Sequence, residues 1–353
     1  MIPRVAWFGV PAAAAWLVGC SRTDIDTTPT PTIPTVSSPP DSGEPADVGG
    51  CQVGLHTLAS GTSSCNVPQE GLAIGDQNVY WTPYDEYGYQ SIVAVPKCGG
   101  VAVTLVPRIE APGTSFAVDS RNVYWLTPDG VVAKAPLAGG TPETLVATIM
   151  VGSAGPVVDD TSVYWASGTL LLGVPIAGGD VFTVAANPTV DLDAGPYLVA
   201  PQCNLLIHDG KFYMTADINL DGEGGCPAGV VVSMPVQGGP VTLLTADAVY
   251  PCGIAVDDTD LYWADTTGVG RVSLSGENAT NFDHCGASSV ALDSTHVFWA
   301  AGAEVKAAPK SALEKQEVLF IGSFVSISSI AVDTTAVYSA ADEFLWRYAP
   351  LTR

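Results

Sequence analysis

The sequence predicts an all-β protein, a single seven-bladed β-propeller of four-stranded antiparallel blades. A phrase of the form apolar-apolar-Asp-x-Thr/Ser-x-Val-Tyr-Trp occurs seven times, with its aromatic anchors 36 to 49 residues apart. A repeat of about 40 to 45 residues is typical of a propeller blade. Hydrophobic residues make up 47% of the chain and charged residues 14%, with 37 Gly and 27 Pro, a composition that favours short buried strands joined by tight turns.

The first 19 residues have the composition of a secretory signal peptide. Arg4 is followed by an apolar stretch from Val5 to Val18 that Pro11 interrupts. This stretch is too short for a transmembrane helix, which needs about 20 apolar residues.

The end of this segment, Leu17-Val18-Gly19-Cys20, resembles the lipobox of bacterial lipoproteins. The resemblance implies cleavage before Cys20, lipidation of its thiol and anchoring in the cell envelope through a lipid that does not span the membrane. Ser21 follows where lipoproteins retained in the inner membrane carry Asp, which favours the outer membrane. An ordinary signal peptide with an incidental cysteine is the alternative.

Residues 20–50 form the predicted tether. They contain six Pro and few large apolar side chains, so they cannot build a core. Proline-rich chain prefers the polyproline II conformation at about 3.1 Å per residue, which is typical of a spacer. The propeller itself is expected to span residues 51–353.

The repeats predict four strands per blade, called A to D from the axis outward. Strand A is the AVD-like run and strand B the VYW-like run, and an Asp-Thr or Asp-Ser turn joins them. The recurrent Asp is expected to cap this turn rather than to catalyse a reaction. Five tryptophans occupy one repeat position and are expected to be structural anchors: Trp81, Trp125, Trp165, Trp263 and Trp299.

The last repeat contains only three strands, whereas residues 50–59 look like a strand D with no strands A to C before it. Thr57-Leu58 matches Thr104-Leu105, and this alignment puts Cys51 in register with Cys98. The sequence therefore predicts that the N-terminal segment supplies the outer strand of the last blade and closes the ring.

One repeat resembles a known family. Tyr262-Trp263-Ala264-Asp265 is similar to the YWTD quartet of low-density-lipoprotein-receptor propellers, and Tyr80-Trp81-Thr82 matches three of the four positions. YWTD propellers have six blades, so six blades are the alternative to seven. Seven anchors point to a wider group that includes NHL-type and TolB-like propellers. The resemblance implies a fold and no particular function.

Besides Cys20 the chain has seven cysteines, an odd number. The connections D-to-A and B-to-C share one end of a propeller, called the top face here, and the A-to-B and C-to-D turns share the underside. Cys51 and Cys98 are expected on the underside and the other five on the top face. We expect the disulfides Cys203–Cys226 and Cys252–Cys285. Zinc is the rival interpretation, although no Cys-x-x-Cys pair occurs.

An acidic segment in the fourth repeat places oxygen-bearing side chains at alternate positions, Asp217, Asn219, Asp221 and Glu223. Oxygen ligands in this spacing are typical of the first half of an EF-hand calcium loop. Position twelve, usually a Glu, is Ala228 here. A shortened calcium loop and a solvated acidic turn are the two interpretations.

Charge and histidine content narrow the function. Thirteen Lys and Arg against 36 Asp and Glu give a net charge of −23, which argues against nucleic acid as a partner. The spacing of the four histidines predicts no catalytic triad; they are His56, His208, His284 and His296. We therefore expect a non-enzymatic platform in the cell envelope that binds a protein or glycan on its top face. A lyase or hydrolase with an active site in the central funnel is the alternative.

Overall fold

The computed structural model describes residues 51–349 except 52, 61–70, 86, 88, 110–114, 128, 148–153, 193–194, 219–227, 252, 323–325 and 342–343. The regular elements of these residues are strands, and they form seven four-stranded antiparallel sheets and one added hairpin. The seven-bladed prediction is confirmed, and the six-bladed alternative is wrong.

The N-terminal strand is β1 (Gly54–Ser60). Blade 1 contains β2 (Leu72–Ile74), β3 (Asn78–Trp81), β4 (Gln90–Pro96) and β5 (Val103–Ile109). Blade 2 contains β6 (Ser115–Val118), β7 (Asn122–Leu126), β8 (Val131–Pro136) and β9 (Glu143–Ala147). Blade 3 contains β10 (Ala154–Val158), β11 (Ser162–Ser167), β12 (Leu170–Pro175) and β13 (Phe182–Ala186).

The added hairpin is β14 (Thr189–Leu192) with β15 (Gly195–Leu198). Blade 4 contains β16 (Ala200–His208), β17 (Lys211–Ile218), β18 (Ala228–Pro235) and β19 (Thr242–Val249). Blade 5 contains β20 (Gly253–Val256), β21 (Asp260–Asp265), β22 (Gly268–Ser273) and β23 (Thr280–Asp283). Blade 6 contains β24 (Ser289–Leu292), β25 (His296–Ala301), β26 (Glu304–Pro309) and β27 (Glu317–Ile321). Blade 7 contains β28 (Ser329–Val332), β29 (Val337–Ala341) and β30 (Phe344–Ala349), and β1 is its fourth strand.

In blades 1, 2, 3 and 5 the Tyr-Trp pair of strand B packs against both neighbouring blades. Successive side chains of a strand point to opposite faces. Trp81 of blade 1 accordingly lies in one buried cluster with Tyr338 of blade 7, whereas Tyr80 lies in another with Trp125 of blade 2. The same relation links Trp165 to the tyrosine of blade 2 and Trp299 to the tyrosine of blade 5. The five repeat-anchor tryptophans are therefore buried between blades.

Blade 7 lacks this tryptophan, because Ser339 occupies the anchor position. Trp346 lies directly opposite Ser339 on the neighbouring strand β30. Its ring joins the buried cluster that contains Phe298 of blade 6. Strand C thus supplies the indole that strand B lacks, and the interface between blades 6 and 7 is filled.

Strand β1 closes the ring as predicted, although it begins a few residues later than expected. It pairs antiparallel with β30, from Gly54 opposite Ala349 to Ser60 opposite Phe344. In each of the six other blades the register of strand D shifts along strand C, as at a β-bulge. Strand β1 has the same shift between Thr57 and Ala59. Such bulges are one way in which an exposed sheet edge is kept from pairing with another chain.

Two further bonds cross the closure between blades 7 and 1. Cys51 and Cys98 form a disulfide with their Cα atoms 4.7 Å apart. The Lys97 ammonium lies 2.8 Å from Asp333 Oδ2 in blade 7. Blades 5 and 6 are joined in the same way, by Lys310 and Asp257 at 2.7 Å. The closure therefore repeats the geometry of an ordinary blade interface and adds a covalent bond.

We expect replacement of both Cys51 and Cys98 by Ala to lower the free energy of unfolding by about 2–4 kcal/mol, because the disulfide restricts the unfolded chain. Urea unfolding followed by tryptophan fluorescence measures this change. Replacement of Val101, an exposed side chain of the same blade, by Ala serves as the control. Equal unfolding midpoints for the double variant and the unmodified protein would contradict this role of the disulfide.

Candidate functional site

Five of the seven A-to-B turns on the underside share one hydrogen-bonding pattern, in blades 2, 3, 5, 6 and 7. In the A-to-B turn, the carboxylate of the recurrent Asp accepts hydrogen bonds from the backbone N–H groups two and three residues later. Asp119 Oδ1 accepts from Arg121 and Asn122 at 2.6 Å each, and Asp333 Oδ1 accepts from Thr335 and Ala336 at 2.7 and 2.9 Å. These bonds confirm that the recurrent Asp caps its turn.

The second oxygen of the same carboxylates holds the strand B tyrosine or a lysine of the next blade. The hydroxyls of Tyr124 and Tyr164 donate to Asp119 and Asp159 at 2.8 and 2.9 Å. Burial and this hydrogen bond to a carboxylate raise the pKa of Tyr124 to about 12. Both oxygens of these carboxylates thus accept hydrogen bonds from within the fold.

Two of the capping aspartates, Asp257 and Asp333, also bind a lysine of the next blade, and the pKa of each is strongly lowered. Burial by itself raises the pKa of Asp333, but the Lys97 ammonium and the donors of the turn outweigh it and lower the pKa to about 2. Asp257 shows the same balance with Lys310, and its pKa is also about 2. Both groups are therefore ionised throughout the neutral pH range.

The histidines lie apart from one another in the described structure. His208 Nε2 lies 3.1 Å from Asp258 Oδ1 on the underside, and His296 Nδ1 lies 2.8 Å from the hydroxyl of its neighbour Thr295. His56 Nε2 lies 2.8 Å from the carbonyl of Val53 in the turn before β1. Each of these three rings thus has a local partner on the blade scaffold.

On the top face, two buried aspartates fix the connections of blades 5 and 6. Asp265 is 1% exposed and accepts from the Trp263 indole at 3.1 Å and from the N–H groups of Val249 and Gly268 at 3.0 and 2.9 Å. Asp283 accepts from the Trp299 indole at 2.6 Å and from Lys306 at 3.1 Å. Asp265 belongs to the YWTD-like quartet of the sequence, whereas nothing in the repeat pattern indicated the role of Asp283.

The top-face connections differ from blade to blade. The B-to-C connection is two residues long in blades 3, 5, 6 and 7 and four in blade 2, but it is eight residues long in blade 1, at Thr82–Tyr89. The D-to-A connection from blade 3 to blade 4 carries the added hairpin. Val190 and Val199 anchor this hairpin in the core, and Leu198 is 52% exposed.

Six of the seven innermost strands are three to five residues long and mostly apolar. In five blades an alanine of strand A lies directly opposite the strand B aromatic residue, namely Ala73, Ala117, Ala255, Ala291 and Ala331. A small residue here leaves room for the large ring next to it near the crowded axis. The described part of strand A carries one ionisable side chain besides cysteine, His208, at the underside end of β16.

Several predicted site residues lie outside the described part of the chain. They include Cys20, Asn219, Asp221, Glu223, Cys226 and Cys252, and of Asp217 only the backbone, in β17, is described. Cys203 and Cys285 both take part in disulfides. The pairings Cys203–Cys226 and Cys252–Cys285, the lipid on Cys20 and the calcium loop stay predictions.

The disulfide Cys51–Cys98 was not among the expected pairs. The alignment of strands D had placed the two cysteines in register, and that alignment is the signal from which the pair could have been found.

Among the described residues, no group of three or more His, Cys, Asp or Glu side chains is placed to hold a metal ion. Within the same part of the chain, no helix is long and apolar enough to cross a membrane.

Comparison with known proteins identifies the fold. No family model and no curated protein matches the chain. The solved structure of U3-55K matches with a TM-score of 0.63 at 11% identity, covering 84% of this chain and 98% of that one. The computationally designed Ika8 protein matches with a TM-score of 0.55 at 12% identity, covering 83% and 99%. A chain of the nidogen/laminin complex matches with a TM-score of 0.44 at 16% identity, covering 65% and 85%.

The strand topology, with the two likenesses whose TM-scores exceed 0.5, defines the class of the molecule as a β-propeller. At such low identity they establish the fold alone.

The ion pair between Lys97 and Asp333 predicts how the stability of the propeller depends on pH. Because the pKa of Asp333 is lowered from 3.8 to about 2, its contribution to stability is complete above about pH 4 and is lost as the pH falls toward 2. We expect Lys97→Met to lower the free energy of unfolding at pH 6 by about 1 kcal/mol. The variant should also lose less stability than the unmodified protein between pH 4 and pH 2.

Thermal and urea unfolding at pH 6, 4, 3 and 2 measure both effects. Lys315→Met removes an exposed lysine of the C-to-D turn in blade 6 and serves as the matched control. If Lys97→Met and Lys315→Met follow the same pH profile, the link does not stabilise the ring.

Proposed function

We propose that this chain is a non-enzymatic binding platform of the cell envelope. In this proposal a lipid on Cys20 anchors the protein, in the outer membrane by preference, and residues 20–50 form a flexible tether. The propeller then offers its top face to a protein or glycan partner. The acidic segment of the fourth blade, Asp217 to Glu223, adds a calcium site on the same face.

The difference between the two faces is the observation that carries this proposal. The underside repeats one capped turn, and its Asp carboxylates are committed to backbone, tyrosine and lysine groups. The top face carries the long Thr82–Tyr89 connection and the Thr189–Leu198 hairpin. Loops that vary in length on a rigid scaffold are where binding residues are concentrated.

The axis of the propeller supports binding over catalysis in the funnel. Six of the seven strands A are mostly apolar, as in Leu72–Ile74 and Ser289–Leu292, whereas β16 also contains Asn204 and His208. A funnel enzyme needs acid, base or nucleophilic groups that converge on one point. The lyase or hydrolase alternative would have to draw these groups from the top-face connections.

The position at which the chain enters the propeller also supports a binding site on the top face. Cys51 is bonded to Cys98 in the C-to-D turn of blade 1 on the underside, and β1 runs from there toward the top face. A tether that ends at Cys51 therefore joins the underside. The top face is left free for a partner.

Photo-crosslinking tests which face binds. We expect a benzoylphenylalanine residue at Asp129 or Asp191, both exposed on the top face, to form discrete adducts with an envelope partner in intact cells. The same residue at Asp76 or Asp160, exposed on the underside, should form none. Adducts confined to the underside, or no adduct together with turnover in a substrate screen, would overturn the proposal.

The anchor is tested by Cys20→Ser. Loss of the thiol removes the only group to which the expected acyl chains attach, so the variant should incorporate no labelled palmitate and should leave the membrane fraction. Ser21→Ala is the matched control and should incorporate label normally. Membrane retention of Cys20→Ser would count against lipid anchoring and leave the choice of binding face untouched.

A further inference from the structure

Three segments of the top face meet around blade 5, and they form the surface from which a more specific binding site can be inferred. They are the end of blade 4 with its connection to blade 5, the B-to-C turn of blade 5, and the start of the connection from blade 5 to blade 6. We call this surface the blade 5 platform. Its exposed residues are Asp247, Tyr250, Thr266, Thr267 and His284.

Backbone contacts hold the three segments of the blade 5 platform together. The N–H and the hydroxyl of Thr266 both donate to the carbonyl of Val249, at 3.2 and 3.0 Å. On the other side of the same turn, a Cβ atom at Gly286 would lie 2.6 Å from the carbonyl oxygen of Thr266. The N–H of Ala287 donates to the carbonyl of Asp265 at 2.8 Å. The platform is therefore a continuous surface on a fixed backbone.

The backbone on both sides of Tyr250 is fixed before any partner binds. The N–H of Val249 donates to Asp265 Oδ2 at 3.0 Å, and the carbonyl of Val249 accepts from Thr266. On the other side, Pro251 is buried against Gly229, where a Cβ atom would collide with the proline ring. The side chain of Tyr250 is 41% exposed. A preorganised residue of this kind lowers the entropy lost on binding.

The backbone conformation of Tyr250 points to a role for its ring. Its φ of 53° lies in the left-handed region. In the described part of the chain, the other non-glycine residues with a positive φ are Asn187, Asp209 and Asn278. Asn and Asp tolerate this conformation, whereas a bulky side chain followed by proline does not. Costly conformations persist mainly where function requires them, so an aromatic side chain here indicates a functional surface.

Negative charge surrounds Tyr250. Asp247 is exposed three residues earlier in the chain, and the protein as a whole carries −23. The carboxylate of Asp265 is buried next to Val249, and the groups that donate hydrogen bonds to it are all neutral. They are the N–H groups of Val249, Thr267 and Gly268, the Thr267 hydroxyl and the Trp263 indole. None of these donors balances the formal charge of Asp265, and such a surface attracts cations.

A tyrosine ring beside negative charge attracts a Lys ammonium or an Arg guanidinium, through a cation–π contact and through the acidic field. We propose that the blade 5 platform binds a Lys or Arg side chain of a basic protein, with the cationic group placed against the exposed part of the Tyr250 ring. A neutral glycan gains nothing from the acidic field. This inference rests on the proposed binding function and specifies its site and partner chemistry.

Random peptides displayed on phage and selected on the purified full-length protein are a probe that assumes no particular partner. We expect the selected peptides to be rich in Lys or Arg. Isothermal titration with synthetic copies should show binding about tenfold weaker in Tyr250→Leu, which keeps an apolar side chain but has no aromatic ring. Tyr250→Phe keeps the ring and should bind within about threefold of the unmodified protein. Raising the NaCl concentration from about 50 to about 500 mM should weaken binding, because salt screens exposed charges.

Tyr250→Asn separates a binding role from a structural one. Because Asn tolerates the left-handed conformation, this variant should unfold at the same or a higher urea concentration while its binding weakens about tenfold. A parallel loss of stability and binding would assign Tyr250 to the fold and overturn the inference. Tyr87→Ala removes another exposed tyrosine of the top face, in blade 1, and is the matched control. It should bind the peptides within about threefold of the unmodified protein.

The outcomes separate this inference from the proposed function. Peptides that bind independently of Tyr250 but lose affinity in Leu198→Asp overturn the blade 5 platform and leave a binding surface elsewhere on the top face. Peptides that lose affinity only in Asp160→Lys, on the underside, overturn both. Selected peptides without Lys or Arg, or Tyr250-dependent binding of a neutral polysaccharide such as dextran, overturn the assignment of a basic partner.

Discussion

Closure of the ring is the constraint on which the rest of the structure depends. In most blades an aromatic residue of strand B is buried against one neighbouring blade, and the tryptophan that follows it is buried against the other. A blade is therefore fully covered only when both of its neighbours are present. An open ring would expose the faces that hold Trp81 and Tyr338, which share a buried cluster. Strand β1 prevents this by completing blade 7, and the Cys51–Cys98 disulfide ties that strand to blade 1.

The repeated aspartate explains why one end of the propeller is uniform. A single carboxylate caps the A-to-B turn, holds the strand B tyrosine and, at Asp257 and Asp333, binds a lysine of the next blade. A different loop at this position would break all of these bonds together. The top-face turns depend less on a shared residue, and buried groups such as Asp265 secure them individually. Insertions are therefore accommodated on the top face.

The sequence by itself determined the number of blades, the four strands of each blade, the capping aspartates and the closure by the N-terminal strand. These features follow from local patterns, because residues close together in the chain determine strand periodicity and turn type. Only the tertiary structure decided which distant groups meet across a blade interface. Trp346 replaces the anchor missing at Ser339, and Lys97 reaches Asp333, although 236 residues separate these two in the chain. Such contacts arise from the packing of whole blades, which no local pattern records.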